Sequence, residues 1–305
     1  MRYGKLFSPS TLSYLTIIVM IVFLSLSLSY GAKDKGISPE ESSQGQKATP
    51  ARLFTGELKK RNPALTISKE SVMQQIKEKQ DIVLIDVRNS GEFEKFRIPG
   101  SINIPLFAIK TKTFLKSKPL VLINEGYGYS QLEQECMVLR NSGFKASVLN
   151  GGLYQWKQEG GLLEGDVFEQ RELNKILPQA FVTENNYENW VVVDVSKEES
   201  PEGRYLFHRA MHIPYSNDSG QFISKFKSLV NKQTKDPFLS FLIYNAHGEN
   251  YDKIEALLKK TEIKPVFFLK GGLEAYKMLS SIQQGKDDQG RTKAGKTVRK
   301  CASCP

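Results

Sequence analysis

Four short stretches of this chain occur twice, in the same order, about 110 residues apart. "DIVLIDVRNSGEF" (Asp81–Phe93) returns as "WVVVDVSKEES" (Trp190–Ser200), and "GSINIP" (Gly100–Pro105) as "AMHIP" (Ala210–Pro214). "PLVLIN" (Pro119–Asn124) returns as "FLIYN" (Phe241–Asn245), and "SVLNGGLYQWK" (Ser147–Lys157) as "VFFLKGGLEAYK" (Val266–Lys277). A period this long is a domain length, too long for one solenoid repeat, so the chain is expected to fold as two related units.

Within each unit, short β-branched runs alternate with helical stretches. "SKESVMQQIKEK" sets Val72, Met73 and Ile76 on one helical face, with Ser68 as N-cap. "SQLEQECMVLRNSG" closes on Gly143, a C-cap residue, and "YDKIEALLKKT" spaces Ile254, Leu257 and Leu258 along a helix. Continuous apolar strands, each followed by a helix, imply an α/β fold with parallel sheets covered on both faces. In such sheets the functional loops lie at the carboxyl ends of the strands. Asn124 and Asn245 stand there.

The ends of the chain differ from the middle. Arg2 and Lys5 precede the apolar run Leu12–Leu28, the pattern of an export signal or of an uncleaved anchor. Residues 32–63 are polar and rich in Gly, Ser, Pro and Lys, a linker composition. The tail 285–305 is basic and ends in Cys301-x-x-Cys304. The boundaries expected are therefore 1–31 for the signal or anchor, 32–63 for the linker, 64–164 and 165–284 for the two units, and 285–305 for the tail. The net charge of +10 is concentrated at the ends, and no stripe of Lys and Arg with interleaved aromatics is present. Nucleic acid is therefore not an expected partner.

The motif order resembles the rhodanese domain of sulfurtransferases. The order is Asp-Val-Arg, then Glu-Phe, then Ile-Pro-Gly-Ser-Ile-Asn-Ile-Pro, then a strand-loop-helix and Leu-x-Gly-Gly-Leu-x-x-Trp. The resemblance implies two tandem rhodanese-like domains, each a parallel five-stranded sheet with helices on both faces. It also implies a nucleophilic Cys at the end of the central strand, cradled by loop N–H groups that hold a thiolate or persulfide. Aligned on that strand, Asn124 and Asn245 occupy the Cys position, and a neutral carboxamide forms no persulfide. The loops that follow run Glu125, Gly126, Tyr127, Gly128, Tyr129 and Ala246, His247, Gly248, Glu249, Asn250. Neither holds Cys, Arg or Lys, and each holds an acid that opposes an anionic sulfur donor.

The expectation is a catalytically inactive, exported tandem protein that binds or scaffolds at the cell envelope. Its partner would be a protein or a small anionic ligand held by Glu125, Gly126, Tyr127, Gly128, Tyr129, His247 and Gly248, and the membrane could be reached through the N-terminal segment. No catalytic residue, cofactor or metal is expected. The alternative is a sulfur or thiol relay through Cys301 and Cys304, flanked by Arg299 and Lys300. Cys136 shares a helical face with Leu132 and Leu139, as a core residue would. Asp86, Arg88 and Asp194 are expected to tie loops together and Arg97 to make an inter-loop contact. Trp156 and Tyr276 are expected to pack. His208, His212 and His247 are too few and too scattered in pattern for a metal site. Tyr127 and Tyr129 are open between filling the first loop and rimming it.

Overall fold

In the computed structural model the described residues are 58–279, apart from 186, 208, 217, 218, 234, 235, 262 and 264. The first half runs β1 (Thr66–Ile67), α1 (Lys69–Lys77), β2 (Val83–Asp86), α2 (Ser90–Lys95), β3 (Phe96–Arg97) and β4 (Ile102–Asn103). Two 3-10 helices, Leu106–Thr111 and Thr113–Ser117, lead into β5 (Pro119–Ile123), α3 (Tyr129–Asn141), β6 (Lys145–Leu149) and α4 (Gly152–Gln158). A short β7 (Glu164–Gly165) pairs antiparallel with β3.

The second half runs β8 (Lys175–Ile176), α5 (Pro178–Glu184), β9 (Trp190–Asp194), α6 (Pro201–Leu206), β10 (Met211–His212), α7 (Ser219–Lys232), β11 (Ser240–Tyr244), α8 (Tyr251–Lys259) and β12 (Val266–Leu269), followed by a helix from 272. The first sheet has the order β1-β6-β5-β2-β4 and the second β8-β12-β11-β9-β10, and every pair within them is parallel. The two sheets are wound alike. β5 and β11 are central, so the loops at their carboxyl ends open where ligands of open α/β sheets bind.

Alternation along the central strands explains their unbroken apolar character. Leu120 and Leu122 face one core with Cys136 and Leu139, whereas Val121 and Ile123 face another. In β11, Phe241 and Ile243 pack with Phe226 and Ile254, whereas Leu242 and Tyr244 turn the other way. The faces bearing Val121 and Leu242 feed the same cluster. Phe267 lies in its middle, its ring centroid 4.7 Å from that of Tyr154, 5.3 Å from Trp190 and 6.0 Å from Tyr127. The two halves thus share one core, and Tyr154 Oη donates to the carbonyl of Val266 at 2.8 Å across it.

Several local expectations meet the structure directly. Ser68 Oγ caps α1 by accepting the N–H of Ser71, and Gly143 takes a left-handed φ of +88° just past α3. Cys136 is buried and free. Trp156 and Tyr276 are buried, and Arg97 pairs with Glu164 at 2.6 Å. Of the three apolar residues of α1, only Val72 is core; Met73 and Ile76 are exposed. Packing also starts upstream of Ala64. Arg61 is buried, pairs with Glu133, and lies with its guanidinium carbon 3.3 Å above the ring of Tyr129. Among the described residues no helix is long and apolar enough to cross a membrane. Leu12–Leu28, Cys301 and Cys304 lie outside the described residues.

Candidate functional site

The chain leaves β5 at Asn124 and enters α3 at Tyr129 through two left-handed glycines, Gly126 at φ +124° and Gly128 at φ +78°. Such a turn aims backbone N–H groups inward at a helix N-terminus, the geometry of an anion nest. Here the nest is filled from within. The side-chain Oδ1 of Asn124 accepts the N–H of Gly126 at 3.1 Å, and its Nδ2 donates to the carbonyl of Tyr127. Asn245 repeats the arrangement after β11. Its Oδ1 accepts from Gly248 N–H at 2.6 Å and Glu249 N–H at 3.2 Å, and its Nδ2 donates to Glu249 O at 2.7 Å. A carboxamide can do both because it carries an acceptor and a donor on one carbon, whereas a thiolate only accepts.

The Gly-Gly pairs hold these loops from the neighbouring strand. The N–H groups of Leu153 and Tyr154 donate to the carbonyls of Asn124 and Glu125 at 2.8 and 2.9 Å. Leu273 and Glu274 do the same to Asn245 and Ala246. A Cβ on Gly152 would sit 2.5 Å from Asn124 O, and one on Gly272 would collide with Asn245 O. Only glycine allows that approach.

Around the first loop, Asp86 and Arg88 form a buried bidentate pair, with Nη2 to Oδ2 at 2.8 Å and Nε to Oδ1 at 3.0 Å. Arg88 also donates to Phe96 O, and Asn103 Nδ2 donates to the carbonyls of Asp86 and Arg88. The strand-end loops are therefore locked to each other. Arg88 Nη1 is buried without a partner. In the second half Ser196 stands two residues after Asp194, where Arg88 follows Asp86, and its N–H donates to Asp194 Oδ1 at 2.9 Å.

A cavity of about 600 Å³ lies over the first loop, lined by Arg88, Asn103, Phe107, Asn124, Glu125 and Thr183 among others. Burial pushes the carboxyl of Glu125 up, while Arg88 pulls it back. Tyr129 is buried under Arg61, and Tyr127 packs edge-on against Phe267. The two tyrosines thus part: Tyr129 belongs to the core and Tyr127 borders the cavity. His247 is exposed, His212 Nε2 meets Ser196 O at 2.9 Å, and His208 lies outside the described residues. Among the described residues no group of three His, Cys, Asp or Glu could hold a metal ion.

One residue carries no signal in the sequence. Glu184, at the end of α5 in the second half, is fully buried and accepts the N–H of Tyr129 at 3.0 Å, in the first turn of α3. Its other oxygen accepts Trp190 Nε1–H at 3.2 Å. The helix end that could hold a bound anion thus already holds a carboxylate. Burial raises this carboxyl from 4.5 to about 7, against the pull of Trp190 and Arg61.

A parallel α/β sheet with a glycine-bearing nest at the end of its central strand defines a class of anion-handling strand-end sites. In comparison with known proteins, residues 68–159 match the rhodanese-like domain. A sulfurtransferase of Allochromatium vinosum is 27% identical over 97 residues, covering 31% of this chain and 89% of that protein. Among solved structures, a thiosulfate sulfurtransferase from Pseudomonas aeruginosa is 16% identical and covers 70% of this chain and 42% of its own, with a TM-score of 0.30. A rhodanese-related protein of Thermoplasma volcanium is 24% identical over 32% of this chain and 96% of its own, with a TM-score of 0.28. Residues 68–159 are therefore similar to a rhodanese-like domain.

Proposed function

We propose that this protein is a tandem rhodanese-like protein whose two strand-end loops bind rather than transfer sulfur. The observation that carries this reading is the pair of carboxamides, Asn124 and Asn245, each spending its oxygen on the loop N–H groups that would otherwise face a sulfur anion. Sulfur carriage needs a thiol there, since only a thiolate takes up and releases sulfane sulfur. Glu125 and Glu184 place acidic side chains beside the first nest, and in their ionised forms they disfavour an anionic donor. The export pattern around Leu12–Leu28 supports a binding or scaffolding role at the cell envelope.

A thiosulfate-to-cyanide assay on the purified full chain, with intact-mass analysis after thiosulfate treatment, tests this. The expected result is no turnover above the uncatalysed rate and no sulfur adduct on any peptide spanning either loop. Turnover comparable to active rhodaneses overturns the reading. Cys136 offers no substitute thiol, since it is buried and burial pushes its pKa up. Any thiol chemistry of this chain therefore falls to Cys301 and Cys304, and an adduct confined to that tail supports the relay instead.

A further inference from the structure

The segment between β4 and β5 combines buried aliphatic anchors with exposed aromatic rings and lysines. Its two 3-10 helices are pinned by Ile109 and Leu115, which are 0% and 3% exposed. With those anchors inside, Phe107 and Phe114 point out and are 81% and 70% exposed. Lys110, Lys112 and Lys116 lie between and beside them, and no acidic residue occurs from Pro105 to Lys118. Lys118 is engaged by Asp81 at 2.7 Å. Lys110 and Lys112 are exposed and take part in no ion pair among the described residues.

We propose that this segment docks onto an anionic lipid bilayer surface, with Phe107 and Phe114 entering the headgroup boundary and the lysines meeting lipid phosphates. Aromatic rings presented beside lysines are the combination that interfacial elements use. The choice of basic residue favours a membrane over a protein. Protein interfaces enrich Arg and deplete Lys, because the planar guanidinium desolvates better. Here every basic residue is Lys, whose hydrated point charge suits a diffuse phosphate surface. Rigid anchoring by Ile109 and Leu115 keeps two costly exposed rings outside the core, where burial was available to their neighbours. Phe107 also borders the cavity over Asn124, so docking would turn that cavity toward the bilayer.

The test uses the full chain carrying F107W and vesicles of equimolar phosphatidylglycerol and phosphatidylcholine with brominated acyl chains. Vesicles of phosphatidylcholine alone serve as the control, since the apolar run Leu12–Leu28 can itself bind lipid of either charge. The added indole is expected to shift to the blue and be quenched by the anionic vesicles, and raised salt is expected to reverse this. K110E/K112E in the same chain, two surface changes that touch no partner, should weaken the response at least tenfold, at about fivefold per lysine. Unchanged emission, an equal response to neutral vesicles, or an undiminished response in K110E/K112E overturns the proposal. So does a concentration-dependent blue shift without vesicles, which assigns the face to a second copy of the chain.

Discussion

Oε1 of Glu184 accepts the backbone N–H of Tyr129 at 3.0 Å, joining the end of α5 in the second half to the first turn of α3 in the first. The carboxylate stands where a sulfur anion's helix would offer its positive end. Because its native pKa is raised to about 7 from 4.5, the native state holds this proton more tightly than the unfolded chain does. Its contribution is therefore full below about pH 4.5 and is lost as pH rises through about 7. Each unit of displacement is worth about 1.4 kcal/mol, so about 3.5 kcal/mol is at stake over the whole range, of which on the order of 2 kcal/mol falls between pH 5.5 and pH 8. Urea denaturation at pH 5.5 and pH 8 should show the wild type losing stability on that scale, and E184Q should flatten the difference. Equal slopes in the two proteins reject the assignment.

Arg61 gives a second measurement. Its guanidinium pairs with Glu133 and covers Tyr129, and both side chains of the pair are below 10% exposed. R61A leaves Glu133 buried without its partner, a loss of about 3–5 kcal/mol. Double substitution to R61M/E133L should recover most of that loss, since an apolar pair removes the stranded charge. Denaturation midpoints read both.

A thiol can be placed in the first nest. N124C is expected to gain only trace thiosulfate-to-cyanide transfer, because Glu125 and Glu184 oppose the donor. N124C/E125R replaces one of these charges by a cation and should transfer at least tenfold faster than N124C. If N124C alone turns over like an active rhodanese, the charges of the loop are irrelevant and the proposed lack of sulfur transfer rests on the thiol alone.

The Gly-Gly contact separates steric from conformational cost. Gly152 (φ +49°) faces Asn124 O, whereas Gly160 (φ +84°) has nothing within 4 Å of its missing Cβ. G160A should cost about 1–2 kcal/mol of backbone strain. G152A adds a backbone collision and should cost at least about 2 kcal/mol more, visible in denaturation and in lost exchange protection of the Leu153 amide.

The shared core predicts shared unfolding. Phe267 is 0% exposed and touches rings from both halves. F267A should cost about 3–5 kcal/mol and lower a single transition seen alike by probes in either half. Two resolved transitions in the wild type would show that the halves fold independently.

The parallel sheets and the strand-end position of Asn124 and Asn245 were legible in the sequence, because unbroken apolar runs followed by stretches of period 3.6 are properties of the chain itself; the strand order was not. The missing thiols were legible for the same reason: an absent atom needs no coordinates. What the carboxamides do with the empty nest was not, since their hydrogen bonds depend on where Gly126 and Gly248 turn the backbone. Nor did anything mark Glu184 or Arg61. "AFVTENN" and "LKKRNP" carry no periodicity that distinguishes a buried charge from a solvated one. Their roles arise only when the halves close on each other, burying ionisable groups from distant segments in a common low-dielectric core. The sequence alone determined which residue types the loops offer; the tertiary structure decided how they are bonded, because desolvation and pairing are properties of neighbours in space.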